Sequence, residues 1–290
     1  MELWNQAMDA IEEHLDHDVP IRDVAAVALT SEYQLRRVFS MLAGMPLSEY
    51  VRRRRMTVAA SAVCEGNEAV QDIAVRFGYS SADAFARAFR NVHGIGPEQA
   101  RRPGAVLRSQ PRLSFHLTVE GRTDMQYRIV EKPAFNVVGR KTRSTVAYEG
   151  VNPDADRLVR SLSDADWELF EELSDQEPRG DISVWDDVDG AGGAEGTEAE
   201  YYIGVATSRA APSGFDVLDV PPHSWAVFAT SGAFPQALHS LWRSVGGEWL
   251  PANPYELVPA PSLVRATYHD ENGAHADFEL WLAVRPRPAP

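Results

Sequence analysis

Residues 72–97 read DIAVRFGYSSADAFARAFRNVHGIGP, and this stretch decides the fold of the amino-terminal part of the chain. Its first six residues have an amphipathic pattern, which predicts a short helix that ends at Phe77. Gly78 then supplies a residue that tolerates positive φ, as a sharp turn between two helices requires. Ser80 is the predicted N-cap of the next helix, and Asp83, three residues later, completes a pattern similar to a capping box.

The second helix of this stretch has one apolar face and one polar face. The apolar residues recur at helical spacing: Phe85, Ala88, Phe89 and Val92. The residues off that face are short or basic: Ala82, Asp83, Arg87 and Arg90. Gly94 and Pro97 predict the end of the helix. A helix of this kind on an apolar platform is typical of a helix-turn-helix recognition helix. The alternative is an ordinary helical hairpin with a solvated charged face.

An earlier stretch repeats the same pattern. Residues 21–46, IRDVAAVALTSEYQLRRVFSMLAGMP, match residues 70–97 as a short helix, a turn, a serine-capped helix, a glycine and a proline. Ser31 is the predicted N-cap and Gln34 its capping-box partner. A repeated supersecondary unit favours two helix-turn-helix units over a chance hairpin. An amphipathic helix over residues 3–15 precedes the first copy, and residues 47–66 predict a rigid spacer helix between the copies.

The spacer helix contains four consecutive arginines, Arg52 to Arg55. Consecutive residues on a helix point in different directions, which argues against a flat basic patch. We expect one or two of them, Arg54 among them, to contact phosphate, and the others to be solvated.

Residues 1–103 resemble the DNA-binding domain of the AraC/XylS family of bacterial transcription regulators. The segments that carry the resemblance are LRRVFSMLAGMPLSEYVRRRRM and DIAVRFGYSSADAFARAFRNVHGIGPEQARR. It implies two recognition helices in successive major-groove segments of double-stranded DNA, an asymmetric site, and RNA polymerase as a further partner. The family's DNA-contacting positions fall on Tyr33, Arg36, Arg37, Ala82, Asp83 and Arg87. Two departures are Leu29, at the usual glycine of the first turn, and Ala82 with Asp83, where relatives often carry glutamine.

Charge and composition limit the function classes. The net charge is −14, but residues 1–110 hold 13 Arg and 14 acidic residues, so the excess acid lies in the rest of the chain. That acidic part is unsuited to phosphate and favours cationic or neutral partners. The only cysteine, Cys64, excludes an intrachain disulfide and a multi-cysteine metal site. With an acidic start and no stretch of 18 apolar residues, we expect a soluble, cytoplasmic protein without a signal peptide.

The acidic part contains a second internal repeat. Residues 127–142 and 215–230 both read strand, proline turn, strand, and each is followed by a helical segment, over 154–173 and 235–245. The segments ISVWDD, EYYIGVA, YELVPAP and DFELWLAV supply two further strands to each copy. The expected fold class is multi-domain: an all-α double helix-turn-helix over 1–103, a linker over 104–123, and an α+β domain of two pseudo-symmetric β-β-α-β-β repeats over 124–287. LSFHLTV (113–119) is a possible short strand, and 187–199 a mobile loop.

Residues 124–286 resemble the GyrI-like effector-binding domain, through MQYRIVEKPAFNVVG, YYIGV, WLPANPYEL and FELWLAV. The resemblance implies a small, often cationic and lipophilic ligand in the groove between the two halves. The matching positions are Glu279, Trp249 and Tyr255, with Glu256, Tyr202 and Trp281 as weaker additions. Strand alternation also puts Glu279 beside Trp281 on one face, where an unpaired carboxylate is costly. The alternative is that Glu279 pairs with an arginine of its own domain or lies on a solvated edge.

The sequence therefore predicts a DNA-binding regulator that senses a small molecule and is not an enzyme. No Ser-His-Asp, HExxH or phosphate-loop pattern is present, and no cofactor or metal motif is found. Two alternatives stay open. Some GyrI-like domains hydrolyse reactive small molecules with a pocket glutamate, and an acidic domain can also dock a protein partner without a pocket.

Overall fold

The computed structural model describes residues 2–116, 125–146, 151–186, 197–270 and 274–287. The chain separates into two compact units, one of residues 1–35 and 47–118, the other of residues 36–46 and 119–290. Within the described residues, no helix has the length and apolar character that crossing a membrane would require.

The amino-terminal region is all helical, as the sequence predicts. Its helices are α1 (Glu2–Glu12), α2 (Ile21–Val27), α3 (Glu32–Ala43), α4 (Leu47–Glu65), α5 (Val70–Arg76), α6 (Ala82–His93) and α7 (Pro97–Ala100). The apolar faces of α4, α5 and α6 meet in one buried cluster that includes Met56, Val63, Ile73, Phe85 and Phe89. The predicted apolar stripe of α6 is therefore the buried one.

The turn residues largely behave as predicted. Ser31 accepts a hydrogen bond from the Gln34 N–H through Oγ at 3.1 Å. Gly78 has φ +79° and Leu29 has φ +50°, so a side chain that disfavours the left-handed region occupies the first turn, as expected. The predicted N-cap Ser80 is wrong by one residue. Ser81 caps α6 by accepting from the Ala84 N–H, because the Tyr79 N–H still bonds to Ala74 and the chain leaves the turn one residue later.

The four arginines of α4 are engaged within the protein. Arg52 and Arg53 pair with Glu49 one turn away on the same helix. Arg55 donates to the backbone carbonyls of Leu15 and His17. Arg52 and Arg53 are nevertheless exposed, as expected of solvated side chains, whereas the backbone of the loop after α1 holds Arg55.

Arg54 connects α4 to α1 through several hydrogen bonds. Its guanidinium donates to both oxygens of Glu12 in α1, at 2.6 Å for Nη2 with Oε2, and both side chains are 14% exposed. The hydroxyl of Tyr50 also donates to Glu12, at 3.0 Å. Burial and the neighbouring Glu12 raise the pKa of Tyr50 to about 12. The expectation that Arg54 contacts phosphate is wrong in this structure, since its donors are committed to the fold.

The carboxyl-terminal unit is an antiparallel sheet with helices. Its strands are β1 (Tyr127–Lys132), β2 (Phe135–Thr145), β3 (Asp181–Asp186), β4 (Glu198–Thr207), β5 (Asp216–Val220), β6 (His223–Ala233), β7 (Tyr255–Leu257), β8 (Ser262–Tyr268) and β9 (His275–Pro286). Its helices are α8 (Pro153–Arg160), α9 (Asp164–Leu173) and α10 (Gln236–Ser244), which continues through a π-helical turn (Val245–Trp249) into α11 (Leu250–Ala252).

The strand order shows the predicted pseudo-symmetry. The order is β1-β6-β9-β8-β3-β4-β2-β5, with β7 paired to β9. β3 of the first repeat pairs antiparallel with β8 of the second, so the two halves meet at this seam. The first strands are exchanged, because β1 pairs with β6 and β5 pairs with β2. Each half therefore supplies an edge strand to the other, and neither completes its sheet alone.

Two sequence expectations for this unit need correction, and so does one for the segment that precedes it. The helix expected over 154–173 is two helices, because Ser161–Ser163 interrupts it and Ser163 caps α9. YELVPAP forms only the short β7, and the third strand of the second repeat is β8, which the sequence reading missed. LSFHLTV forms no strand over its described part, 113–116, where the backbone bonds to side chains instead, and 117–119 lie outside the described residues. Most of the loop expected over 187–199 lies outside them too, and β4 already begins at Glu198.

We predict that Arg54→Ala lowers the free energy of unfolding by roughly 2–4 kcal/mol, because it leaves the carboxylate of Glu12 partly buried without its charged partner. Arg53→Ala is the matched control, since the Arg53–Glu49 pair lies on the surface, and we expect a change within about 0.5 kcal/mol. Urea unfolding followed by circular dichroism measures both. Equal losses in the two variants would contradict a structural role specific to Arg54.

Candidate functional sites

Helix α6 presents a small polar surface opposite its buried face. Asp83 and Arg87 are exposed and Ala82 is half-buried, whereas Phe85 and Phe89 are fully buried. The Ala82 N–H donates to the Gln71 side chain, which holds the first turn of α6 against α5. The three predicted positions of this helix therefore lie on the side away from the core. A rigid apolar base and an accessible arginine suit contact with base edges in a major groove.

The predicted positions of α3 have a different environment. Tyr33 and Arg36 are half-buried, and Arg37 is only 4% exposed. Residues 36–46 group with the carboxyl-terminal unit, in which the guanidinium of Arg37 lies 5.4 Å from the ring centre of Trp242. Arg37 is therefore buried in this structure, unlike the exposed Arg87 of α6.

A cavity of about 460 Å³ lies in the carboxyl-terminal unit, between the two repeats. Its floor is the seam of the sheet, where Ser183 of β3 is the register partner of Val264 of β8. Trp167 of α9 and Leu238 of α10 also line it, so each repeat supplies a helix to its walls. The groove between the halves that the sequence predicted is therefore present, and it is built from residues that the sequence reading did not select.

The lining of the cavity is aromatic and acidic. Its aromatic side chains are Trp167, Trp185, Tyr201, Phe234, Tyr268 and Phe278. Asp156 and Asp181 are its carboxylates, and none of the described lining residues is lysine or arginine. Arg160 pairs with Asp156 at 2.8 Å, whereas the structure gives Asp181 no ion pair among the described residues. Aromatic faces with an adjacent carboxylate favour an apolar ligand that carries positive charge.

The hydroxyls at the floor are neutral donors. Ser183 Oγ and Tyr201 Oη are hydrogen-bonded at 2.8 Å. Burial raises the pKa of Tyr201 to about 12, and burial with the nearby Asp181 raises the pKa of Tyr268. Both tyrosines therefore keep their protons at neutral pH, and the floor adds polar groups without adding charge.

The six residues predicted to bind the ligand do not line this cavity. Trp249 and Tyr255 come together, with stacked rings 5.6 Å apart, and Trp249 also packs edge-on against Phe228 at 4.9 Å. Glu256 pairs with Arg285 across β7 and β9. Tyr202 donates to Glu200 at 2.7 Å.

Glu279 and Trp281 also share a site, but an arginine occupies it. Strand alternation puts both on the sheet face opposite Phe278, which lines the cavity. Arg128 donates to Glu279 at 3.2 Å and its guanidinium lies 5.0 Å from the centre of the Trp281 ring. Arg265, the cross-strand neighbour of Glu279, lies 3.9 Å away. This is the arrangement that the alternative reading described, a carboxylate paired with arginines of its own domain.

Comparison with known proteins places the chain in a family. The model of the integron-associated effector binding protein family matches residues 128–284, more than half of the chain. The chain belongs to this family. A helix-turn-helix domain model matches residues 24–103. The predicted combination of an AraC-type DNA-binding domain with a GyrI-like effector-binding domain is thereby confirmed, and this effector-binding family member is a DNA-binding transcriptional regulator.

Individual relatives are similar to parts of this chain. The transcriptional activator AarP of Providencia stuartii is 37% identical over 91 residues, 31% of this chain and 67% of AarP. The multiple antibiotic resistance protein MarA of Escherichia coli strain K12 is 31% identical over 94 residues, 32% of this chain and 74% of MarA. The structure of SAV2435 bound to tetraphenylphosphonium aligns with 56% of this chain and 94% of its own, at 19% identity and a TM-score of 0.42.

We predict a pH-dependent contribution of Asp166, which sits next to the cavity residue Trp167 on α9. Hydrogen bonds from Ser163 and Arg140 lower the pKa of Asp166 to about 2. Because the folded-state pKa is below the ordinary value, the stabilisation is present above about pH 4 and is lost as the pH falls towards 2. Asp166→Asn should therefore cost roughly 1–3 kcal/mol at pH 7 and progressively less in acid.

Urea unfolding at a series of pH values measures this difference. Asp164→Asn is the control, because Asp164 is exposed in the same first turn and we expect a change below about 1 kcal/mol from the loss of its charge near the helix N-terminus. A penalty for Asp166→Asn that stays constant down to pH 2 would show that the carboxylate charge is not responsible.

Proposed function

We propose that this regulator binds a lipophilic cation in the cavity between its two repeats, with Asp181 as the counter-charge. The observation that carries the proposal is the lining itself: aromatic side chains from both halves, a carboxylate without an ion pair among the described residues, and no lysine or arginine among the described lining residues, whose one histidine is His239. A cation close to a carboxylate and to aromatic faces gains charge-assisted and cation–π attraction.

The environment of the two candidate carboxylates favours Asp181 over Glu279. Glu279 already has Arg128 at 3.2 Å and Arg265 at 3.9 Å, so a second cation there would have to displace an arginine. Asp181 is exposed and lines the cavity with Tyr201 and Tyr268, and its charge contributes to the raised pKa of both tyrosines. The ligand role first predicted for Glu279, Trp249, Tyr255, Glu256, Tyr202 and Trp281 stays a prediction that competes with the cavity, and the same experiment decides between them.

For DNA, we propose that α6 reads bases through Arg87, with Ala82 and Asp83 lining the contact. Tyr33, Arg36 and Arg37 of α3 are the proposed contacts of the first unit. Arg37 can reach DNA only in a form of the chain in which its guanidinium has left the ring of Trp242. RNA polymerase is the further partner that we propose, supported by the similarity to AarP, a transcriptional activator.

We propose binding without hydrolysis in the effector domain. The similarity to transcriptional regulators supports a sensor, and the cavity carboxylates Asp156 and Asp181 serve charge neutralisation in this reading. A hydrolase would convert the ligand to a product during incubation, so recovery of unchanged ligand, measured by mass spectrometry, separates the two functions.

We predict that Arg87→Ala weakens binding to a duplex selected by the wild-type chain by roughly 1–3 kcal/mol and relaxes preference at one or two base pairs, as the loss of a bidentate base contact does. Arg76→Ala is the control, because its exposed guanidinium pairs with Glu68 in the turn between α4 and α5. Fluorescence anisotropy with selected and random duplexes measures both. An equal loss on random DNA would reduce Arg87 to a phosphate contact.

For the effector site, we predict that Asp181→Asn weakens tetraphenylphosphonium binding by roughly 1.5–3 kcal/mol, because it removes the counter-charge and leaves the aromatic walls in place. Binding of the neutral triphenylphosphine oxide should change little. Glu279→Gln should leave the affinity for the cation near wild type and change stability instead. Calorimetric titration of the three proteins measures this. A loss confined to Glu279→Gln would move the site to the opposite face of the sheet.

A further inference from the structure

Residues 105–116, which follow α7, pack along the helices of the amino-terminal unit without forming a helix or a strand. Ala105, Leu107, Gln110, Leu113 and Phe115 are half-buried, and most of the residues between them are exposed. We name this segment the strap. A free linker would have a solvated backbone, so the destinations of its backbone groups decide what the strap does.

The first residues of the strap lie against the carboxyl-terminal end of α6. Nδ1 of His93, the last residue of α6, is 2.5 Å from the carbonyl oxygen of Arg108, and Nε2 is 3.0 Å from the carbonyl oxygen of Met56 in α4. His93 is 3% exposed. Leu107 packs against the apolar cluster shared by α4, α5 and α6. One end of the strap is therefore fixed to the second helix-turn-helix.

The middle of the strap bonds to α4. The Gln110 N–H donates to Thr57 Oγ at 2.9 Å, and Arg54 donates to the Gln110 carbonyl at 2.7 Å. The Leu113 N–H donates to the hydroxyl of Tyr50 at 3.2 Å. Arg54 and Tyr50 are the two residues that also bind Glu12 of α1, so the strap completes the joint between α1 and α4.

The far end of the strap is fixed to α1. Asn5 makes two reciprocal hydrogen bonds with the backbone of Phe115, from Nδ2 to the carbonyl at 2.9 Å and from the N–H to Oδ1 at 2.7 Å. The rings of Trp4 and Phe115 pack edge-to-face at 6.0 Å. Asp9 and Arg112 form an ion pair beside them.

We propose that the strap is a positioning element that fixes the separation of the two helix-turn-helix units and so sets the DNA spacing that the chain accepts. It joins α1, which packs on α2 of the first unit, to α6 of the second unit, across the spacer helix α4. Helix α4 connects the units through apolar packing and through the hydrogen bonds of Arg54 and Arg55 to α1 and the loop after it. The directional hydrogen bonds of the strap add a connection to α6 at its other end, and together they oppose small rotations of one unit against the other. The proposal rests on the proposed reading of DNA by both units.

DNA spacing variants provide the test. One base pair inserted between the two half-elements of a duplex selected by the wild-type chain moves one element by about 3.4 Å and rotates it by roughly 35°. The full-length chain should bind the inserted and the shortened duplex at least about tenfold more weakly than the parent, since each shift breaks the contacts of one unit.

Two variants release the strap in different ways. Asn5→Ala removes both bonds to Phe115, and Leu113→Pro removes the N–H bonded to Tyr50 while leaving α1 unchanged. Ser114→Ala is the control, because its exposed hydroxyl bonds only to His116 within the strap. Circular dichroism checks that each protein is folded at the assay temperature. If one of the two released variants is unfolded, the other one provides the test.

We expect both released variants to bind the parent duplex. Their loss of affinity on the inserted and shortened duplexes should be at least about threefold smaller than that of the wild-type chain, while Ser114→Ala keeps the wild-type profile. A full spacing penalty in a folded released variant would overturn the proposal. So would the loss of binding to every duplex, because the strap would then be needed to form the DNA-binding surface itself. Failure of the proposed function is a separate result, seen when the wild-type chain selects no preferred sequence.

Discussion

The antiparallel pairing of β3 with β8 is the interaction on which the carboxyl-terminal unit depends. These strands are the only link between the repeats in the middle of the described sheet, and they make the floor of the cavity. β1 and β5 are exchanged between the repeats at the two outer edges, so each repeat needs the other for its strand pairing. A ligand over the seam therefore contacts both halves at once. At the proposed site, ligand binding would depend on the relative position of the two halves.

In the amino-terminal unit, long-range contacts fix the positions of short helices. Short helices with local contacts form readily but bury little surface each, so their mutual positions depend on a few long-range contacts. Glu12, Tyr50 and Arg54 supply one such contact between α1 and α4, and the strap adds its backbone to the same joint. The partly buried charge of Glu12 is tolerated because a guanidinium and a phenol satisfy it.

Arginine has one observed role and one proposed role in this protein, and its partners distinguish the two. Arginine is a residue type expected at phosphate or ligand sites, yet Arg54 and Arg128 each lie against a carboxylate of their own unit. Arg87 has the same side chain on the exposed face of a recognition helix. The acidic excess of the carboxyl-terminal unit likewise becomes informative only at Asp181, which lies beside aromatic walls in a lining whose described residues include no lysine or arginine.

The sequence by itself determined the elements whose signals are local. Serine caps, glycine turns, the stripe of Phe85 and Phe89, and the two internal repeats predicted both helix-turn-helix units and the duplicated α+β fold, because capping and periodicity act within a few residues. Tertiary structure alone decided the partners of charged groups and the place of the cavity. Glu279 and Arg128 are 151 residues apart, and Asp181 and Tyr268 line one cavity because β3 pairs with β8. No pattern in the sequence specifies which distant side chain neutralises a charge, because that depends on the register of strands that pair across the whole domain.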